Sequence, residues 1–296
     1  MPDLSVVIPS VNGFADLEGC LQALEAQRPD HDLEVLVIDR LGSSLRSAVG
    51  AQFPLVLMIE VPPTTSIPEM RAIGIRAATA PAVGILEDHV LVRPGWATAM
   101  LAAIREGAEV VGGSVENAAT DTVIDWASFL CEYSHCLPPL PAGEVDWLTG
   151  NNVVYRRDLL ERHLDVIDRH GWENDLHEAI KAAGTPLVCR PEIVVDHKKH
   201  FTLGEYLELR YNYSRSYAGA RLRGAGRGKR AVYALAGLAL PPVLFYRTVS
   251  RILAKGRHRD WLVRGAPAIA VFVVAWAWGE IVGYWAGPGD SLQRVT

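Results

Sequence analysis

The sequence of 296 residues predicts an α/β fold, in which a mostly parallel sheet carries helices on both faces and is followed by C-terminal apolar helices. Two observations lead to this prediction. Short β-branched runs alternate with segments of helical periodicity between residues 4 and 195, and strands that alternate with helices are typically parallel neighbours. The last third of the chain is instead dominated by two long apolar segments.

The first strand and helix begin almost at the N-terminus. Residues 4–9, LSVVIP, form a β-branched run that ends at a proline, which predicts a strand. Residues 14–27 predict a helix, because apolar side chains recur at helical spacing, at Leu17, Cys20, Leu21 and Leu24. No basic stretch precedes the strand, so we expect no secretory signal and a cytoplasmic location for this part of the chain.

The following segments repeat this alternation. They predict strands at residues 33–38, 56–61 and 83–86, a helix at 68–78, a helix at 175–183 and a strand within 187–195. Ligands of open α/β sheets bind beyond the carboxyl ends of the strands. The polar residues at those ends are therefore candidates for a site: Pro9-Ser10-Val11-Asn12, Asp39-Arg40 and Glu87-Asp88-His89.

Charge is distributed unevenly along the chain. Residues 1–200 carry 15 Lys and Arg against 29 Asp and Glu, whereas residues 201–296 carry 14 against 5. A basic segment that contains continuous apolar blocks indicates contact with anionic lipid more than with nucleic acid. We therefore expect membrane lipid, and no nucleic acid, among the partners. The sequence leaves the oligomeric state open.

Two apolar runs, at residues 231–246 and 265–279, mark the last third of the chain. The first run is broken by two prolines and lies between basic clusters at 221–230 and 247–264. Because basic residues stay on the cytoplasmic side of a membrane, these two clusters are not expected on opposite faces of a bilayer. We expect the first run to lie in the membrane interface or to re-enter it, and the second to cross once. A soluble helical subdomain or a dimer face is the alternative.

These features predict three parts: an α/β catalytic domain at 1–200, a basic helical linker at 201–230 and a membrane-associated helical region at 231–296. Four cysteines without a Cys-x-x-Cys pair indicate reduced thiols rather than disulfides or a zinc site. A dehydrogenase is disfavoured because no G-x-G-x-x-G follows the first strand, and a sugar nucleotidyltransferase because no glycine-rich basic loop occurs there.

Four segments of the sequence, called stations below, resemble a known protein family. In order they are LSVVIPSVN, LEVLVIDR, MRAIGIRAATAPAVGILEDHVLVRPGW, and LTGNNVVYRRDLL with GWENDLHEAIKAAG after it. Over about residues 4–200 these stations resemble family 2 glycosyltransferases. The resemblance implies a GT-A, Rossmann-like nucleotide-diphospho-sugar transferase fold. It also implies an inverting, divalent-metal-dependent transfer of a sugar from a nucleotide-sugar donor. Because the C-terminal segments are apolar, we expect a lipid-linked or polysaccharide acceptor at the cytoplasmic membrane face.

The resemblance implies a donor site at the strand ends. Asp39 takes the place of the acid that contacts the base, with UDP the favoured nucleotide, and Arg71 that of an arginine near the diphosphate. The other candidates for donor binding are Pro9, Ser10, Val11, Asn12, Glu87 and Asp88. Arg40 stands where the family usually has a second aspartate, which leaves the base preference open.

A divalent metal, Mn²⁺ or Mg²⁺, is the implied cofactor, because it neutralises the charge that develops on the departing diphosphate. Asp88 is the first candidate ligand, and His89 or His197 would complete the site. The chain has Glu87-Asp88-His89 where the family favours Asp-x-Asp. Since imidazole suits Mn²⁺ better than Mg²⁺, strict use of magnesium is not expected.

The general base is expected at the start of the helix near residue 175. Glu173 stands two residues before Asp175, where the family carries its base, and Asp175 is the alternative. Asn151, Asn152 and Trp172 are expected on the acceptor side. Each candidate also has an ordinary structural interpretation, as a turn former or a first-turn acid. Because Arg40 and Glu87-Asp88-His89 depart from the family pattern, a second function stays open: a catalytically impaired membrane scaffold that keeps the fold. Donor hydrolysis by the purified protein distinguishes this scaffold from an active enzyme.

Overall fold

The computed structural model describes residues 1–295, which divide into two compact units. Unit 1 contains Met1–Ala118 and Cys136–Lys198, and unit 2 contains Ala119–His135 and the chain from Lys199 onward. Unit 1 holds the sheet, whereas the regular structure of unit 2 is helical. The two units are therefore not consecutive blocks of sequence, because residues 119–135 pack with the C-terminal part of the chain.

The described residues form nine strands in one sheet. These are β1 (Leu4–Ser10), β2 (Leu33–Asp39), β3 (Val56–Glu60), β4 (Ala82–Ile85), β5 (Val90–Val92), β6 (Val110–Asn117), β7 (Gly143–Val145), β8 (Val153–Arg156) and β9 (Leu187–His197). Their order is β3-β2-β1-β4-β8-β6-β9-β5, with β7 also paired to β9. The first four are parallel, whereas β8 pairs antiparallel with both β4 and β6. The predicted α/β fold is confirmed, with the parallel pairs concentrated in the N-terminal half.

The register of the central strands brings the polar strand ends together. All seven residues of β1 are buried, as expected of a strand that is covered on both faces. β1 and β2 pair from Leu4 and Leu33 to Ser10 and Asp39, so the last two lie side by side. β4 pairs with β1 on its other side. The turns after these three strands therefore share one edge of the sheet.

Seven helices belong to unit 1. They are α1 (Phe14–Glu25), α2 (Ser43–Gln52), α3 (Ile67–Ala77), α4 (Trp96–Arg105), α6 (Arg157–Arg162), α7 (Leu164–Ile167) and α8 (Glu173–Ala182). α3 lies directly on β1 at Gly74, where a Cβ atom would come within 2.2 Å of Val7 Cγ1. The glycine thus permits a close approach that a larger residue would prevent, and this approach positions Arg71 on the same helix.

Unit 2 is built from α5 (Val123–Tyr133), α9 (Leu203–Arg221), α10 (Arg227–Gly237), α11 (Leu240–Lys255) and α12 (Arg259–Ala286), with a 3₁₀ turn at Ser291–Arg294. α9 begins at a capping box, in which Thr202 and Glu205 satisfy each other's backbone amides. The ring of Tyr206 on α9 packs edge-on against Phe272 on α12, with centroids 4.5 Å apart. On α5, Trp126 stacks on Trp261 of α12.

Two glycines let α9 and α12 pack closely. A Cβ at Gly279 would lie 2.0 Å from Ser214 Oγ, and one at Gly283 would lie 2.5 Å from the carbonyl oxygen of Arg215. The contacts advance in the same direction along both helices, so the two run parallel. The aromatic and glycine contacts therefore bind α12 to α9 along much of its C-terminal half.

By length and composition, α12 could cross a membrane; the pair of α10 and α11, bent by 52°, counts as a second such segment only if the two helices are taken as one span. Of the most apolar part of α12, 39% is buried inside the protein. Length and apolar composition are met equally by a core helix of a soluble protein. The crossing expected from the sequence therefore stays a prediction.

Candidate active site

Asp88, in the turn after β4, is hydrogen-bonded to the turn after β1 at the edge of the sheet. Its side chain is 1% exposed. Oδ2 accepts hydrogen bonds from the backbone amides of Val11 (2.8 Å) and Asn12 (2.9 Å), and Oδ1 accepts one from Asn12 Nδ2 (2.7 Å). Burial alone would raise the pKa of Asp88, but the bonds and charge of His89 and the bonds from Asn12 and Val11 bring it below its usual value. Asp88 is thus an ionised carboxylate that connects the turn after β1 to the turn after β4.

Two histidines meet beside Asp88. The antiparallel pairing of β5 with β9 places His197 opposite Val90, next to His89. The Nε2 atoms of His89 and His197 are 2.9 Å apart, and Nδ1 of His89 is 2.9 Å from Asp88 Oδ1. Burial lowers the pKa of His89, but its bonds to Asp88 and Glu87 and their charges outweigh this and raise it to about 9. Two ring nitrogens at this separation need a proton or a metal cation between them.

Glu87 completes this cluster. Its Oε2 lies 3.5 Å from His89 Nε2 and accepts a hydrogen bond of 3.0 Å from Asn151 Nδ2. Ligand atoms of Glu87, His89 and His197 all lie within 4.8 Å of one another. One carboxylate and two imidazoles suit a divalent transition metal, and Asp88 behind His89 provides the carboxylate that commonly orients such a histidine. These three residues therefore form a possible metal-binding triad.

The triad differs in one member from the residues predicted as ligands. His89 and His197 meet as expected, but the third position is held by Glu87, a residue predicted to bind the donor. Both oxygens of Asp88 are already used in hydrogen bonds to the protein. Asp88 itself contacts a member of the triad, through its Oδ1 and Nδ1 of His89, and its predicted role as a metal ligand stays a prediction.

Asp39 and Ser10 leave polar atoms unused at the neighbouring strand ends. Asp39 Oδ1 accepts hydrogen bonds from the amides of Leu41 (2.7 Å) and Gly42 (3.2 Å). Asp39 Oδ2 and Ser10 Oγ are buried and have no hydrogen-bond partner within residues 1–295. Because unsatisfied polar atoms are costly inside a protein, such a pair indicates a place for a ligand that donates hydrogen bonds. Arg40 lies buried nearby, with Nη1 bonded to the carbonyl of Thr65.

Arg71 joins the triad to the predicted base. Its Nη1 is 2.9 Å from Glu173 Oε2, and its Nη2 is 3.6 Å from Glu87 Oε1. The guanidinium also lies over the ring of Trp172, 5.9 Å from its centroid. A Cβ at Gly150 would come within 2.7 Å of Glu173 Cδ and 3.0 Å of Arg71 Nη1. A side chain at position 150 would therefore displace the ends of Glu173 and Arg71, and no sequence pattern marks Gly150.

Both candidate bases line an open pocket with largely apolar walls. Glu173 and Asp175 lie there with Trp172, among apolar residues that include Pro68, Ile75, Ile85, Val153 and Val166. The Glu173 side chain is 14% exposed, whereas Asp175 is exposed and lies against Gly171. Of the predicted acceptor-side residues, the pocket contains Trp172.

Asn151 and Asn152, the two predicted acceptor-side asparagines, have different contacts. Asn151 contacts Glu87, as described above. Asn152 is fully buried; its Oδ1 accepts a hydrogen bond from Trp96 Nε1 (3.0 Å), and its Nδ2 donates to the carbonyls of Ser114 and Ile193. Both polar atoms of the Asn152 side chain are therefore used in holding β8 in the sheet.

A contact behind the pocket carries no signal in the sequence. Tyr155 on β8 and His177 on α8 are both buried, with the Tyr155 hydroxyl 2.7 Å from His177 Nε2. The contact supports the helix that carries Glu173. Only the approach of α8 to β8 reveals it, because the two residues are 22 positions apart.

Comparison with known proteins supports the same fold. Residues 5–164 match the family described as glycosyl transferase family 2. No curated protein matches the chain. Among the solved structures that match is the mannosyltransferase PcManGT from Pyrobaculum calidifontis, in complex with GDP-Man and Mn²⁺. It shares 18% identity at a TM-score of 0.56, over 94% of this chain and 87% of that one, so the likeness shows the fold.

Proposed function

Because the chain belongs to glycosyl transferase family 2 and is a glycosyltransferase, we propose that it moves a sugar, with inversion, from a nucleotide-sugar donor to a lipid-linked or polysaccharide acceptor at the cytoplasmic membrane face. One observation carries the proposal. Arg71 bridges two carboxylates of different predicted roles, Glu87 in the triad and Glu173 in the pocket. A donor diphosphate and an acceptor hydroxyl would thus be recognised within reach of one guanidinium.

The donor nucleoside is proposed to lie over the ends of β1 and β2. The unused Asp39 Oδ2 would accept an N–H of the base, and Ser10 Oγ would bond the nucleoside beside it. The family resemblance favours UDP. The solved mannosyltransferase binds GDP-Man. Arg40 stands where the family usually has a second aspartate near the base, so both UDP and GDP are included in the test.

The triad of Glu87, His89 and His197 would hold a divalent ion, Mn²⁺ or Mg²⁺. Such an ion supplies positive charge that stabilises the departing diphosphate. The residues around it have their own tasks. Asp88 orients His89 through Nδ1 and holds the turn at Val11 and Asn12 in place. Arg71 adds a second positive charge and can bond phosphate oxygens in pairs.

Glu173 is proposed as the general base, with Asp175 as the alternative. Inversion by direct displacement needs one carboxylate to take the proton of the acceptor hydroxyl while its oxygen attacks the anomeric carbon and the diphosphate leaves. Glu173 is half-buried, oriented by Arg71 and adjacent in sequence to the buried Trp172. Asp175 is exposed at the mouth of the same pocket.

Membrane attachment is proposed to involve one leaflet. α12 packs along α9, which carries Glu208, Arg210, Arg215 and Arg221, and each charge drawn to the centre of a bilayer costs about 2.5–3.5 kcal/mol. The paired helices are thus ill suited to cross together. Leu235, Leu238 and Tyr246 of the α10–α11 pair are 68%, 67% and 72% exposed beside the basic clusters. This face suits an anionic membrane surface.

The proposal is tested by nucleotide binding and donor hydrolysis of the full-length protein in detergent. Titration calorimetry with UDP and GDP, each with Mn²⁺, Mg²⁺ or EDTA, should show binding that depends on the metal. Asp39→Asn should weaken binding of the preferred nucleotide by about tenfold, because a charged hydrogen bond is lost. Asp165→Asn, which removes an exposed carboxylate of the same unit, is the control. Metal-dependent binding without any donor hydrolysis would instead support the scaffold.

A further inference from the structure

One side of helix α3 forms a wall of the pocket at Glu173. Pro68, Ala72 and Ile75 lie on this side together with Arg71, at the spacing that puts residues on one face of a helix. Between Pro68 and Ile75 the helix rises by about 10 Å. Strands β4 and β8 and helices α7 and α8 complete the walls with Ile85, Val153, Val166 and Leu176. We call this cavity, which lies within unit 1, the apolar pocket.

The apolar pocket exposes surface that a folded protein normally covers. Ile75 and Val166 lie on two different helices of the pocket and are only half-buried. Protein interiors are closely packed, and unfilled apolar space lowers stability. An apolar cleft with a few convergent polar groups is the usual form of a small-molecule site. The apolar pocket therefore has the form of a binding site rather than of a packed core.

The charged side chains that line the apolar pocket are Arg71, Glu173 and Asp175. Arg71 Nη1 bonds Glu173 Oε2 at 2.9 Å, and Asp175 is exposed. The hydroxyl of Tyr155 already bonds Nε2 of His177, at 2.7 Å. A ligand with one hydroxyl can bond Glu173, whereas a ligand with many hydroxyls would bury some of them without a partner, which costs free energy. The pocket thus matches a ligand that is apolar apart from one hydroxyl.

We propose that the apolar pocket binds the acceptor, and that this acceptor is an apolar alcohol, in which an alkyl or aromatic group carries the reacting hydroxyl. The apolar group lies against α3 and Val166, and the hydroxyl donates a hydrogen bond to Glu173. Arg71 also reaches Glu87, with Nη2 3.6 Å from Oε1, so this hydroxyl is close to the donor site. A polysaccharide, the other acceptor class of the proposed function, carries a hydroxyl on most ring carbons and does not match these walls.

The inference rests on the proposed function for the transfer itself. The hydroxyl oxygen bonds the anomeric carbon, Glu173 takes the hydroxyl proton, and the nucleoside diphosphate leaves with the electron pair of the broken bond. The apolar pocket contributes the choice of acceptor, because it holds the group next to the reacting hydroxyl.

The test compares cyclohexanol with myo-inositol, the same ring with a hydroxyl on every carbon. Binding to the full-length protein in nonionic detergent is measured by saturation-transfer NMR, and wild type should bind only cyclohexanol. Ile75→Trp and Val166→Phe place a larger side chain on two different walls and should each weaken cyclohexanol binding by about fivefold or more. The matched controls, Ile73→Trp and Leu164→Phe, introduce the same side chains on the same helices outside the pocket and should change binding by less than about twofold.

Thermal unfolding identifies the folded variants, and either pocket variant that is folded decides the result, since the two fill the pocket from different walls. Equal weakening in the controls would reduce the effect to a general disturbance of α3 or α7 and overturn the proposal. Binding of myo-inositol that the same substitutions remove would overturn it as well, because the pocket would then accept a polyhydroxyl ligand.

The acceptor role has a separate readout. Of UDP-glucose and GDP-mannose, the donor that the protein hydrolyses is incubated with cyclohexanol, which should raise nucleotide release above hydrolysis alone in wild type but not in Ile75→Trp. Cyclohexanol that binds without raising nucleotide release would overturn the acceptor role. If neither donor is hydrolysed and neither nucleotide binds, the proposed glycosyl transfer fails, whereas cyclohexanol binding still decides whether the pocket takes an apolar alcohol.

Discussion

At the scale of single residues, Glu173 and Asp175 share one pocket but differ in their surroundings. Glu173 is held by Arg71, whereas Asp175 is exposed. Glu173→Gln keeps the shape and removes the proton acceptor, so kcat should fall by roughly 10²–10⁴ with little change in donor affinity. Steady-state kinetics and nucleotide titration measure the two effects. Asp175→Asn is the matched control and should stay close to wild type.

The opposite ranking of these variants would move the base to Asp175. Near-normal turnover in both would show that this segment does not supply the base. In that case the ion pair between Arg71 and Glu173 would have a purely structural role, and Glu173→Gln should lower the melting temperature instead.

The adjacent acids Glu87 and Asp88 provide a second test at this scale. Glu87→Gln removes a carboxylate from the triad and should reduce Mn²⁺-dependent nucleotide affinity by about 10–100-fold, with a small effect on stability. Asp88→Asn instead replaces an acceptor of two backbone amides and should destabilise the protein by about 1–3 kcal/mol. Calorimetric titration and thermal unfolding separate the two. If Glu87→Gln retained full metal dependence, while Asp88→Asn lost it without loss of stability, Asp88 would be the ligand.

At the scale of elements, the contact between β8 and α8 should make stability depend on pH. Burial, followed by the charges of Lys181 and Arg71, lowers the pKa of His177 from 6.5 to about 4. Since folding lowers the pKa of His177, the neutral imidazole stabilises the folded state at pH values above 6.5. This contribution to the free energy of unfolding is lost as the pH falls from 6.5 towards 4. The full contribution is roughly 3 kcal/mol.

Denaturant unfolding at about pH 5 and pH 8 measures this effect. Wild-type protein should lose about 2 kcal/mol more than His177→Gln between these conditions, because only the wild type carries the buried imidazole. His31→Gln, which keeps His177, should behave as wild type. An identical pH dependence in wild type and His177→Gln would show that His177 does not titrate in this way.

At the scale of the whole molecule, attachment to one leaflet predicts specific behaviour with lipid. Full-length protein should float with vesicles that contain anionic lipid and be released by alkaline carbonate. Leu235→Glu combined with Leu238→Glu should abolish flotation, since two exposed apolar residues would become charged. Leu55→Glu, at an exposed apolar position of unit 1, is the control. Resistance to carbonate would show that α12 crosses the membrane, and protein that stays cytosolic without detergent would refute attachment.

The sequence by itself determined the family and about half of the elements of unit 1, five strands and three helices, whereas β5 to β8, α2, α4, α6 and α7 were not predicted. The β-branched runs at β1, β2 and β4 and the periodicity of α1 and α3 are local patterns, and the structure places these elements within two residues of their predicted limits at every end. The parallel arrangement of the first four strands follows from their alternation with helices, and it brings Ser10, Asp39 and Glu87 to one edge. Such features depend on neighbours in sequence, so a single chain reveals them.

The tertiary structure decided which contacts each of two adjacent residues makes. Glu87 and Asp88 look equivalent in sequence, but the direction of each side chain after β4 sends one to His197 and the other to the turn at Val11. The sequence likewise left open whether α12 crosses a membrane or packs as a core helix, and its close packing on α9 at Gly279 comes from residues more than sixty positions away. The physical reason is the same in each case: side-chain direction and partners are set by packing between distant segments, which local periodicity does not record.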